Sequence, residues 1–144
     1  MKRSLFRLGT TVTAIVAAVL GLSQPAIAAP TLQVSVAGAH LQPGGLQVVL
    51  TGQYTCGPFS PDSDGVVDLD LRQQAGGTLT VGYGYVYLTI CDGAAHTWSS
   101  PVDSVGGPFV RGRAQVLGGG YACDRGPGGE CAFGSFGPAT VRIR

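Results

Sequence analysis

TLTVGYGYVYLTIC, Thr78 to Cys91, is the stretch on which the fold class turns. Leu79, Val81, Tyr83, Tyr85 and Tyr87 recur at every second position, which is the period of a β-strand and places all five on one face. Gly82, Gly84, Val86, Leu88 and Ile90 fall on the opposite face, so both faces are largely apolar. Such a strand is either covered on both sides or keeps one face for a ligand. Cys91 shares the parity of the tyrosines, and a bridge between two sheets at Cys91 would draw the tyrosine face into a core.

The segments on either side repeat the pattern. Upstream, Val67-Asp68-Leu69-Asp70-Leu71-Arg72 alternates cleanly between apolar and charged, the mark of a strand with one face in water. Leu46 to Cys56 reads as another strand, and Leu32, Val34 and Val36 mark a first one. Downstream, His96 to Val102 forms a short strand ending near Pro101, followed by Gly112 to Cys123 and Ala139 to Arg144. Gly- and Pro-rich turns separate them every 8–12 residues or so, and no 3.6-residue period occurs after the first 28 positions. About seven short strands of this kind lead to an all-β, immunoglobulin-like β-sandwich, with a small β-barrel as the other architecture the pattern allows.

The first 28 residues read differently. Lys2, Arg3 and Arg7 precede the apolar run Thr11 to Leu22, and Ala26-Ile27-Ala28 supplies a small-x-small cleavage site. The run is shorter than the roughly 20 apolar residues a membrane helix needs. A secretory signal peptide over residues 1–28 is therefore expected, leaving a secreted domain over residues 29–144. Those 116 residues carry six Arg, no Lys, seven Asp and one Glu, a net charge of −2. No basic patch of the size a nucleic-acid backbone demands is expected, and no polybasic membrane anchor.

All four cysteines, Cys56, Cys91, Cys123 and Cys131, lie in the 29–144 segment, and an even count in an exported chain reads as two disulfides. The flexible Gly126-Pro127-Gly128-Gly129 favours Cys123 with Cys131, which leaves Cys56 with Cys91. In the chain-entropy picture the short and long bridges stabilise by about 2.6 and about 3.8 kcal/mol. No C-x-x-C pair is present and the two histidines stand at no ligand spacing, so neither zinc nor any other cofactor is expected.

Gly52-Gln53-Tyr54-Thr55-Cys56, Arg72-Gln73, Cys91-Asp92-Gly93 with His96 and Trp98, and Phe109 with Gly112-Arg113-Ala114-Gln115-Val116 together resemble a family of small secreted actinobacterial proteins of unknown function. Gln53 stands where that family usually has Thr. The likeness covers roughly Gly52 to Val116 and implies export and an immunoglobulin-like fold, but no activity. At the level of fold alone, the two-bridge sandwich is similar to the neocarzinostatin-type carrier proteins.

Four clusters are candidates for chemistry. Tyr83, Tyr85 and Tyr87 offer stacked rings suited to sugars or an aromatic ligand, against core packing as the plainer reading. Asp62, Asp64 and Asp68 alternate near Gly65 as in a calcium loop, but aligning that glycine with an EF-hand puts Ser60 first and Leu71 twelfth, so an ordinary turn is expected. Asp92, His96 and Ser99 or Ser100 have the residue types of a hydrolytic triad without its G-x-S-x-G elbow, and no catalytic residue is assigned. Arg111, Arg113, Arg142 and Arg144 read as solvated guards of a sheet edge. The expectation is a secreted, non-enzymatic binding module. Its partner would be a cell-wall polysaccharide, a small molecule or another secreted protein, and the rival reading is a structural surface protein without a ligand site.

Overall fold

The computed structural model describes residues 29–144, so the expected signal peptide lies outside the described residues. Seven strands follow one another: β1 (Thr31–Leu41), β2 (Gln47–Gly57), β3 (Asp64–Ala75), β4 (Thr78–Leu88), β5 (Ala95–Val105), β6 (Gly112–Cys123) and β7 (Cys131–Ile143). Among the described residues no helix is long and apolar enough to cross a membrane.

The hydrogen-bonded order is β1-β2-β5-β4-β3-β6-β7, closed by a parallel contact of β7 with β1 at Ala39 and Ile143. The open two-sheet sandwich expected from the strand count is thus corrected to a closed barrel. Two pairings cause the closure. The β3–β4 hairpin keeps its ladder from Gly65–Leu88 to Ala75–Thr78, joining what would be two sheets on one side. On the other side, Arg144 N–H donates to Ala39 O (3.1 Å) and Leu41 N–H to Arg144 O (2.9 Å), which seals the first strand to the last.

Alternation drives the packing as the sequence suggested. Val67, Leu69 and Leu71 on β3 are fully buried, and Val86 and Leu88 on β4 join Leu50, Val102, Phe109, Val116 and Ile143 in one core. Strands run longer than their sequence pattern: β3 extends from Asp64 to Ala75, β5 continues through Pro101 to Val105, and β7 begins at Cys131 rather than Ala139. The early half of β7 was hidden by its glycines. Its register slips by one residue against β6 between Val116 and Gly118, and the Phe136 ring fills the space where a Gly118 side chain would stand.

The two disulfides pair as expected, Cys56 with Cys91 and Cys123 with Cys131. Both lie at the same end of the barrel, where β2 and β6 end and β7 begins. Cys56 and Cys91 are buried in the core, whereas Cys131 is exposed.

Candidate functional site

Tyr83, Tyr85 and Tyr87 point out of the barrel, 52%, 55% and 74% exposed. The inference that Cys91 would pull them inward fails for a local reason. The strand ends at Leu88, and beyond it Phe59 N–H donates to Cys91 O (2.7 Å) and Gly93 N–H to Cys56 O (2.9 Å). These bonds redirect the chain and reverse its parity: Ile90 is 49% exposed and Cys91 only 4%. Counting by twos from the tyrosines to Cys91 therefore crosses a break in the ladder.

The tyrosines border an opening in the barrel wall. β4 pairs with β3 over its whole length, but with β5 only from Val81 to Gly84, opposite Val105 to Val102. The next residue on β5 is Pro101, which has no N–H to give to a ladder. At the same point Ser100 Oγ donates to Tyr85 O (2.6 Å), satisfying the carbonyl that the lost pairing leaves free. Beyond it the strands part, and a groove of about 500 Å³ opens. Tyr83, Tyr85 and Tyr87 form one wall; Thr97, Ser99 and Asp103 form the other, with Tyr54 and Trp98 at the floor.

Trp98 is 7% exposed and its indole N–H is buried with no hydrogen-bond partner. Its ring occupies the space over Gly52 on the neighbouring strand, where a Cβ would come within 2.7 Å of it. An unmet buried donor of this kind is costly.

Cross-strand register sets the neighbours of the tyrosines. Tyr83 stands between Asp103 on β5 and Asp70 on β3, and Tyr85 beside Asp68. Gln47 Nε2 donates to Asp103 Oδ1 (2.9 Å), and Arg72 Nε donates to Asp70 Oδ1 (3.0 Å). Tyr87 is opposite Val66, Val66 opposite Tyr121, and Tyr121 opposite Phe133, so an apolar row, half-buried at Val66 and exposed at the other three, crosses four strands. The Tyr121 and Phe133 rings sit 6.4 Å apart. Sequence reasoning missed these two. The alternation Ala132 in, Phe133 out was the available signal, but it runs for too few residues between glycines.

The remaining candidates disperse. Asp64 is taken by Arg125, whose Nε donates to Asp64 Oδ1 (2.8 Å); this hydrogen bond holds the Asp64 carboxyl below its ordinary value. Asp68 lies on the barrel flank beside Tyr85, so the Asp62–Asp68 run does not converge on one point. His96 Nε2 lies 2.8 Å from Asp92 Oδ1, and this contact, with the Ala94 N–H, holds the Asp92 carboxyl low. The Ser100 hydroxyl is committed to backbone and Ser99 faces the groove, so the triad residues do not assemble.

No protein-family model matches the chain, and no curated protein matches it.

Proposed function

We propose that this chain is a secreted, non-enzymatic binding module of immunoglobulin-like type, and that its tyrosine-walled groove takes a cell-wall or surface polysaccharide. The observation that carries this reading is the exposure of Tyr83, Tyr85 and Tyr87 in a row along an open groove. Large apolar rings are expensive to leave in water, and a contiguous exposed set of them marks a binding surface. Sugar rings present an apolar face for stacking and hydroxyls for the polar wall formed by Thr97, Ser99 and Asp103.

The strand order supports the immunoglobulin-like part of the reading. β1-β2-β5-β4 and β3-β6-β7 reproduce the two sheets of a constant-type immunoglobulin domain, A-B-E-D and C-F-G, with the barrel closure added. Two disulfides fit an oxidising, extracellular destination. Kinship with the small secreted actinobacterial proteins belongs to the same proposal, and the neocarzinostatin-type likeness is one of topology.

The test is affinity electrophoresis and calorimetry against a panel of soluble wall polysaccharides and neutral glucans. One glycan should bind, and Tyr85→Ala should weaken it by about fivefold, the worth of roughly 1 kcal/mol of ring stacking. Binding by the Tyr83→Ala/Tyr85→Ala/Tyr87→Ala protein at full strength would overturn the assignment, and a panel with no binder would favour the purely structural role.

A further inference from the structure

The barrel separates charge along its axis in a way the linear sequence does not display. β1, β3, β5 and β7 run in one direction and β2, β4 and β6 in the other. The loops at 58–63, 89–94 and 124–130 therefore share one end of the barrel, together with both disulfides. Asp62, Asp64, Asp92, Asp124 and Glu130 lie there, with Arg125 the one arginine among them. The loops at 42–46, 76–77 and 106–111 share the other end and contain no acidic residue; the nearest acidic side chain is Asp103 on β5, opposite Gln47 at the start of β2. That end carries Arg111, Arg113, Arg142 and Arg144, all exposed.

Three features make this end a constructed surface rather than scattered charge. First, Arg113 and Arg142 are direct cross-strand partners, an arrangement that costs stability because like charges face each other. No ion pair among the described residues relieves any of the four arginines. Second, the segment presenting Arg111 is held rigidly. The side chain of Gln73, only 2% exposed, donates from Nε2 to Val110 O (2.8 Å) and accepts from Val110 N–H at Oε1 (2.9 Å). Third, a concavity of about 420 Å³ lies among Arg111, Gly112, Arg142, Ile143 and Arg144.

The reading of these arginines as edge guards needs an edge. β6 lies between β3 and β7, and β7 is sealed to β1, so the closed barrel removes that explanation.

We propose that this end of the barrel binds a phosphate group, presented by a phosphodiester-linked polymer or as the free ion. A guanidinium is a planar fork that grips two oxygens at once. One fork saturates the two oxygens of a carboxylate, whereas a phosphate offers three or four and can bridge several forks. Three guanidinium groups around the concavity, with Arg113 opposite Arg142 at its side, therefore fit a phosphate better. The acidic opposite end repels the same ligand and orients its approach. This site is separate from the tyrosine groove and does not depend on the polysaccharide reading.

The protein would be titrated at about 20 mM salt, a regime in which surface charges are weakly screened. The probes are inorganic phosphate, polyphosphate and polygalacturonate, followed by amide NMR shifts and calorimetry. Shifts centred on Gly112, Arg113 and Arg142 are expected with the phosphate probes. Saturation by inorganic phosphate would identify the free ion as sufficient; binding of polyphosphate alone would identify the polymer. Arg113→Ala and Arg142→Ala should each weaken binding by about tenfold, the worth of one charge-assisted contact, while Arg125→Ala at the opposite end leaves it unchanged. All three positions are exposed, so the variants retain the fold, which their melting temperatures check. The proposal is overturned if no phosphate probe binds, if Arg125→Ala matters as much as Arg113→Ala, or if polygalacturonate binds as tightly as polyphosphate.

Discussion

Removing each disulfide by paired alanine substitution should produce unequal damage, and the structure says how unequal. The Cys56–Cys91 bridge spans 35 residues of chain and the Cys123–Cys131 bridge 8. Loop entropy alone assigns them about 3.8 and about 2.6 kcal/mol. Burial widens the gap. Cys56 and Cys91 sit in the core, so replacing them with alanine also leaves a void worth about 1 kcal/mol, whereas Cys131 is at the surface. The long-bridge variant should therefore lose nearly 5 kcal/mol, roughly twice the loss of the short-bridge variant. At about 4 °C per kcal/mol for a domain of this size, melting temperatures should fall by about 20 °C and about 10 °C. Differential scanning calorimetry of the two variants and the parent measures both. A short-bridge variant that melts at or below the long-bridge variant would refute the reasoning, because it would mean that neither loop length nor burial governs the contribution.

Other outcomes follow from single contacts. Gly52→Ala should cost more than about 3 kcal/mol in urea unfolding, because the new Cβ overlaps the Ser35 carbonyl and the Trp98 ring, neither of which can retreat. Gly76→Ala, at φ +56° in open space, should cost only about 1 kcal/mol. The Asp64, Asp92 and Asp124 carboxyls are held below the ordinary value of 3.8 by Arg125, His96 and the Ser60 hydroxyl respectively. Their contribution is thus complete above about pH 4 and disappears as pH falls through the lower folded-state values. Carboxyl NMR titration should place all three midpoints below 3.8, with Arg125→Ala returning Asp64 toward it; a midpoint above 3.8 in the parent protein contradicts the contacts.

Local alternation was legible wherever a ladder runs unbroken. Val67 to Arg72 and Thr78 to Leu88 reveal their buried and wet faces residue by residue, and the Gly-rich turn between Cys123 and Cys131 makes that bridge readable. Parity carries no information past a break, which is why Cys91 misdirected the placement of the tyrosines. Closure was not legible either. It depends on Ala39 meeting Ile143 across nearly the whole domain, and on a hairpin whose ladder continues instead of splitting into two sheets. The groove itself follows from Pro101, which marks a missing ladder donor in the sequence, yet only the pairing of β4 with β5 shows that the lost partner was the strand bearing the tyrosines. Tyr121 and Phe133 join the exposed face through a register that no pattern within their own segments encodes.

The seal between the first and last strands also has a mechanical meaning. β1 and β7 run parallel, so the chain enters the barrel at one end and leaves at the other. A force that draws the two termini apart slides β1 along β7, loading the bonds of Arg144 to Ala39 and Leu41 together, in shear, instead of peeling them one at a time. A chain tethered at one terminus and pulled at the other would meet resistance at this seam as well as along the β1–β2 ladder that begins beside Cys56.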